Sequence, residues 1–186
     1  QFAEVYKYNS STSTWDLSKK FTGTRAFGTS VDITPDGNTI VIGASPFQLG
    51  SSGTYYGEIH TYNTSTSTWS QKGATIVDAR DTGYSAAISS DGNTVALGGG
   101  LHYGKVFRYA NGSWSQLGSN LSGVTYHSTG IALSENGNVV ACSSQVNRTI
   151  YIYEYGTDWV LLGSRITSTV SDFGRRIALS SDGYTV

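Results

Sequence analysis

Residues 85–117 read SAAISSDGNTVALGGGLHYGKVFRYANGSWSQL. A short apolar stretch runs into Asp91-Gly92-Asn93, and an almost wholly apolar one, Val95-Ala96-Leu97, runs out of it. Asp-Gly between apolar runs predicts a tight hairpin, because both positions tolerate positive φ. Beyond a glycine-rich link comes an alternating segment, Val106-Phe107-Arg108-Tyr109, then a polar turn and a stretch carrying Trp114. Four strands are therefore expected, spanning Ser85 to Ser89, Thr94 to Gly98, Lys105 to Tyr109 and Ser113 to Leu117.

The same order recurs on either side. The turn returns as Pro35-Asp36-Gly37-Asn38, Glu135-Asn136-Gly137-Asn138 and Ser181-Asp182-Gly183-Tyr184. The tryptophan returns as Trp15, Trp69 and Trp159, and the alternating segment as Val5-Tyr6-Lys7-Tyr8, Ile59-His60-Thr61-Tyr62 and Ile150-Tyr151-Ile152-Tyr153. The markers keep step at a period of about 45 residues, with one excess of about ten that places a single insertion between Ala44 and Gly57. Short strands at that period, without helical periodicity, predict an all-β chain: a β-propeller of four-stranded antiparallel blades. Residues 1–186 then hold four blade equivalents in a single propeller domain or propeller segment, with repeat units near 1–26, 27–81, 82–126, 127–171 and 172–186. The apolar runs Ile40-Val41-Ile42, Val95-Ala96-Leu97 and Val139-Val140-Ala141 suit an interior strand covered on both faces. The first unit opens at a third strand and the last stops within a second. Either the two halves join into a closed four-bladed ring, or the chain is a segment of a larger propeller, which is the favoured expectation.

Phe27-Gly28-Thr29-Ser30-Val31, then Asp36-Gly37, then Ile42-Gly43-Ala44 resembles an FG-GAP repeat, the blade type of integrin α-chain propellers. The match returns at Phe173-Gly174 and weakens to Thr82-Gly83 and His127-Ser128. The resemblance implies a propeller whose Phe-Gly segment opens the innermost strand. Many blades of that family carry an aspartate-rich calcium loop between the first two strands. Here a tight hairpin stands in its place, and one carboxylate cannot supply the roughly six to eight oxygens calcium requires. Asp36, Asp91 and Asp182 are expected as turn formers, with no metal and no cofactor. The Ser-x-Asp-Gly pattern is also similar to WD repeats, the second choice, but Tyr8-Asn9, Tyr62-Asn63, Tyr109-Ala110 and Tyr153-Glu154 stand where that family has Trp-Asp.

Only 13% of the 186 residues are charged, with Lys+Arg 12 against Asp+Glu 13 and no basic run. The chain therefore has no electrostatic footprint for nucleic acid or an anionic membrane. No apolar stretch is long enough for a spanning helix, so no membrane insertion is expected. The single cysteine, Cys142, excludes an internal disulfide and a cysteine zinc cage, and its apolar neighbours predict a buried residue. His60, His102 and His127 have no metal-ligand spacing, and neither a nucleophile elbow nor a phosphate loop occurs.

Binding positions are expected on loops. The insertion carries Phe47, Tyr55 and Tyr56, three aromatics on a projecting loop that could anchor a partner. Asp78, Arg80 and Asp81 occupy an interblade segment on the same face. Arg175 and Arg176 follow Phe173-Gly174 on an innermost strand, where alternation turns one of them into the channel. Sequons stand at Asn9, Asn63, Asn111, Asn120 and Asn147, the first three at the same turn between third and fourth strands. Together these features lead to the expectation of a non-enzymatic extracellular or cell/virion surface module. Such a module would bind a protein or glycan, or serve as a building block of a surface assembly or larger chain. The alternatives are a lectin-like propeller with one sugar pocket per blade, and a propeller hydrolase or lyase with acid/base residues converging at the channel mouth.

Overall fold

A computed structural model describes residues 1–23, 26–45, 55–78, 82–99, 104–121 and 128–186. The elements there are all β. Strands β1 (Phe2–Asn9) and β2 (Thr14–Thr22) form a two-stranded sheet at the N-terminus. The first full sheet holds β3 (Phe27–Ile33), β4 (Thr39–Ala44), β5 (Tyr55–Asn63), β6 (Thr68–Gln71) and β7 (Ile76–Asp78). The second holds β8 (Ser85–Ile88), β9 (Thr94–Gly98), β10 (Gly104–Ala110) and β11 (Ser113–Gln116). The third holds β12 (Ser128–Leu133), β13 (Val139–Ser144), β14 (Thr149–Tyr155), β15 (Trp159–Leu161) and β16 (Ile166–Thr167). Every pairing is antiparallel between sequence neighbours, except that β7 and β16 return to extend β5 and β14. The segment 173–186 carries the fourth of these Asp/Asn-Gly hairpins, and among the described residues no ladder joins it to β1 or β2.

A fourfold hydrogen-bond staple builds the inner hairpins. Thr34 Oγ1 donates to Asp36 Oδ1 at 2.5 Å, while the same hydroxyl accepts the Thr39 N–H at 2.9 Å and Asp36 accepts the Asn38 N–H at 3.0 Å. Ser89-Asp91, Ser134-Asn136 and Ser180-Asp182 repeat the set. The Thr34 hydroxyl and the Asn38 N–H hold the Asp36 carboxyl below its usual range. Burial opposes ionisation of Asp91, but Ser89, the Asn93 N–H and Lys72 overcome it and its pKa is also lowered. Neighbouring hairpins are then tied to each other, Ser90 N–H to Glu135 O and Glu135 N–H to Ser181 O, both at 2.9 Å. Pro35 occupies the equivalent place in the first sheet and has no N–H to extend that chain of bonds.

The sheets pack face to face in chain order. Ala3, Val5 and Phe21 meet Phe27, Ile40 and Ile42; Val41 and Ile59 meet Ile88, Val95 and Leu97; Ala96 and Val106 meet Ile131, Val140 and Tyr151. Strands β4, β9 and β13 are buried at every residue, as their unbroken apolar runs require. Cys142 lies in this layer, and burial pushes its thiol pKa up. The outer strand of each full sheet breaks at Lys72-Gly73, Leu117-Gly118 or Leu162-Gly163, each glycine at positive φ, before it resumes as β7, as the bridge Gly104–Leu121, or as β16.

Two glycines separate backbone freedom from close packing. Gly83 (φ +88°) and Gly112 (φ +84°) share a left-handed conformation. A Cβ on Gly83 would lie 2.5 Å from both the Ala44 and Tyr56 carbonyl oxygens, whereas one on Gly112 would meet nothing within 4 Å. Gly112→Ala is expected to cost about 1–2 kcal/mol, the left-handed penalty alone. Gly83→Ala should cost roughly 1–3 kcal/mol more through overpacking. Urea unfolding measures both, and equal losses would show that the second sheet does not seat its Thr82-Gly83 segment on the first.

Candidate functional site

The inner strands and the tail enclose a cleft of about 720 Å³, within the usual range for small-molecule sites. Its walls are Thr29, Ser30 and Val31 of β3, Tyr84 with Ser85 and Ala86 of β8, Gly130 and Ile131 of β12, then Gln145 and Arg175–Ile177. The innermost strands of the three full sheets and the tail thus converge on one cleft. Ser30 Oγ donates to Gly83 O at 3.1 Å, fixing the first wall to the second. Ser143 Oγ accepts the Gly130 N–H at 2.9 Å and donates to Gly174 O at 2.5 Å, which pins the arginine segment to the third sheet. Gln145 Nε2 donates to Asp172 Oδ1 at 2.5 Å, so the nearby carboxylate is engaged. Among the described residues neither Arg175 nor Arg176 has an ion-pair partner.

Both arginines line the cleft, which corrects the expectation that only one would. The Phe173-Gly174 segment is a turn rather than an innermost strand: the Arg175 N–H closes it on Asp172 O at 3.1 Å, and Asp172 takes a positive φ. Alternation does not apply to residues in a turn. Tyr55 and Tyr56 also depart from expectation. They are 5% and 7% exposed, within β5 rather than on a projecting loop. Pairing of Tyr56 with Ala44 on one side and Val77 on the other draws them into the sheet, and the Tyr56 ring lies 6.3 Å from that of Phe27. Asp78 pairs with Tyr55 at the end of β7. Phe47, Arg80 and Asp81 lie outside the described residues, as do His102 and His127.

Asn63, Asn111, Asn120 and Asn147 are exposed, and Asn9 is half-buried. Asn9, Asn63 and Asn111 do stand at the turns after β1, β5 and β10. The side chains of Asn9 and Asn63 accept backbone N–H groups within those turns, and Asn120 accepts from Gln116. Among the described residues no group of three or more His, Cys, Asp or Glu is placed to hold a metal.

Alignment of the four repeats on their Asp/Asn-Gly turns identifies the cleft residues that loop reasoning passed over. Thr29-Ser30, Tyr84-Ser85, Thr129-Gly130 and Arg175-Arg176 are equivalent pairs, and they differ in every repeat. Three residues further on, an apolar position reads Ile33, Ile88, Leu133 and Leu179. Between them one position reads Asp32, Ala87, Ala132 and Ala178. Asp32 points, like Ser30, toward the second sheet, where its carboxylate accepts the Ile88 N–H and its own Ile33 N–H at 2.9 Å each. Burial pushes its pKa up despite those two bonds.

No protein-family model matches the sequence, and no curated protein is significantly similar to it. Solved structures share its fold. A functionally unknown protein from Desulfotomaculum acetoxidans superposes with a TM-score of 0.65 at 18% identity, over 91% of this chain and 50% of that one. Two proteins provisionally named 6-phosphogluconolactonases, from Bacteroides fragilis and Bacteroides uniformis, give TM-scores of 0.61 and 0.64 at 16% and 14% identity. Each covers 98% of this chain and 55% of its own length. The chain thus spans about half the length of these structures, and the likeness establishes a propeller-like fold. It also corrects the expectation of a non-enzymatic module, since two proteins of this fold are named as enzymes. A motif search could not detect the cleft: its lining comes from several repeats, dozens of positions apart in the sequence.

Asp32 supplies a test by pH. Its carboxyl titrates above its unfolded value, so its charge weakens the fold increasingly as pH rises through the folded pKa, and costs nothing below the unfolded value near about 4. Asp32→Asn keeps an acceptor for the Ile88 N–H and removes the charge. The variant should melt above the wild type at neutral pH, with the difference vanishing in acid. A difference that stays constant with pH would place the Asp32 carboxylate in solvent.

Proposed function

We propose that the cleft binds a small hydroxylated organic anion of the sugar-phosphate class, and that the chain forms one wall of the channel of a propeller enzyme acting on such a compound. The observation that carries this reading is the pair Arg175 and Arg176, without ion-pair partners among the described residues, facing the hydroxyl-bearing Thr29, Ser30 and Tyr84 across one cavity. Guanidinium groups match phosphate and carboxylate oxygens in fork geometry, and hydroxyls serve the sugar. The names of the two Bacteroides proteins point the same way, toward hydrolysis of a phosphorylated sugar lactone. On this reading three complete blades and two partial ones stand in the chain, and the propeller is larger than four blades.

A second reading keeps the surface expectation. Asn9, Asn63 and Asn111 repeat one exposed turn on one end of successive sheets. N-linked glycans there would project away from the loops at the other end, which would be left for a protein or glycan partner outside the cell.

Calorimetric titration with 6-phosphogluconate, with gluconate as the control, separates these readings. The phosphorylated acid should bind and gluconate should bind far more weakly. Arg175→Ala and Arg176→Ala should each weaken binding roughly tenfold or more, the worth of a hydrogen bond to a charged group. Equal weak binding of both compounds, unaffected by either substitution, would sink the anion reading.

A further inference from the structure

Four apolar side chains stand open on the N-terminal sheet, on the side away from the first full sheet: Phe2, Tyr6 and Tyr8 of β1 and Trp15 of β2. Their counterparts elsewhere are covered. Phe2 is 54% exposed where Tyr56, its counterpart in β5, is 7%. Trp15 is 68% exposed, while the other three tryptophans are half-buried. A contiguous apolar face of this kind marks an interaction site.

The internal interfaces show what fits it. Each covered tryptophan donates its indole N–H to the sheet before it: Trp69 to Ser18 Oγ at 3.2 Å, Trp114 to Lys72 O and Trp159 to Leu117 O, both at 2.7 Å. Each tyrosine paired with those tryptophans takes a cation from the sheet before it. Lys7 Nζ lies 3.3 Å from the Tyr62 ring centre, Lys72 Nζ 5.0 Å from Tyr109, and Arg108 Cζ 5.7 Å from Tyr155. Tyr8 and Trp15 hold the same mutual arrangement, 5.5 Å between ring centres against 5.1 Å for Tyr155 and Trp159. Among the described residues the Trp15 indole N–H has no acceptor, and no cation faces the Tyr8 ring.

We infer that this face docks a propeller blade that offers a Lys or Arg to the Tyr8 ring and an oxygen acceptor to Trp15 Nε1. The tail of a second copy does not meet that description. Glu154 stands there at the position of Lys7 and Arg108, and its carboxylate accepts the Tyr184 hydroxyl at 3.1 Å. Where the internal interface has Arg108 donating to Asn138 Oδ1 at 3.1 Å, the tail has Glu154 and Tyr184. A carboxylate set against the negative face of a tyrosine ring repels it, whereas a guanidinium is attracted. The inference rests on the interfaces between sheets and is independent of what the cleft binds.

The full chain can supply its own probe. Glu154→Arg with Tyr184→Asn recreates the Arg108–Asn138 pair at the tail, and sedimentation velocity over a concentration series reads association. The wild type should stay monomeric. The double variant should associate head to tail roughly two- to thirtyfold more tightly, the range of one cation–π contact. Adding Tyr8→Ala or Trp15→Ser should abolish the gain. Both sites are exposed, so these changes leave the fold in place, and far-ultraviolet circular dichroism verifies it. Three results would overturn the inference: a double variant no more associated than the wild type, a gain indifferent to Tyr8 and Trp15, or wild-type chains that already assemble through this face.

Discussion

The hydroxyl two residues ahead of each turn's Asp or Asn is the constraint on which the other features depend. It accepts one backbone N–H and donates to the turn side chain, so the hairpin closes in a single register. A slip of one residue would exchange the two faces of every inner strand. Strands β4, β9 and β13 would then lose their burial, and Ser30 would no longer reach Gly83 O. Because the staple is local, each repeat fixes its register with its own residues, and the sheets pack face to face in chain order.

Much of the fold was legible because its determinants are short-range and repeated. The strands of the second repeat fall within a residue or so of the expected limits, and the apolar runs at 40–42, 95–97 and 139–141 are interior as their composition requires. The broken outer strand was not legible. Lys72-Gly73, Leu117-Gly118 and Leu162-Gly163 resemble any loop glycine until β7 and β16 are seen to pair back. Tyr55 and Tyr56 were misplaced for the same reason: an insertion was visible, but its downstream edge is set by partners at Ala44 and Val77 that composition does not reveal.

The cleft was less legible than the fold because it is the place where the repeats disagree. Packing positions carry similar residues from one repeat to the next, whereas Thr29-Ser30, Tyr84-Ser85 and Arg175-Arg176 share a geometric role without sharing chemistry. Asp32 follows the same logic, a single carboxylate where three sister repeats place alanine. In a repeat protein, similarity reports on packing and its local failure reports on use.

The third repeat's turn, Asn136-Gly137, has a further consequence in chemical ageing. Asparagine followed by glycine is the pair most prone to deamidation, through attack of the glycine nitrogen on the side-chain amide. Here the Gly137 N–H is engaged with Ser134 O at 2.9 Å, and Asn136 Oδ1 is held by the Ser134 hydroxyl and the Asn138 N–H. The folded turn keeps the two reacting groups occupied. Direct hydrolysis of that amide would leave an aspartate, the residue that Asp36, Asp91 and Asp182 already supply at the same place. The third repeat thus shelters this pair and tolerates the simplest product of its loss, whereas the chain's other Asn-Gly pair, Asn111-Gly112, stands at an exposed turn.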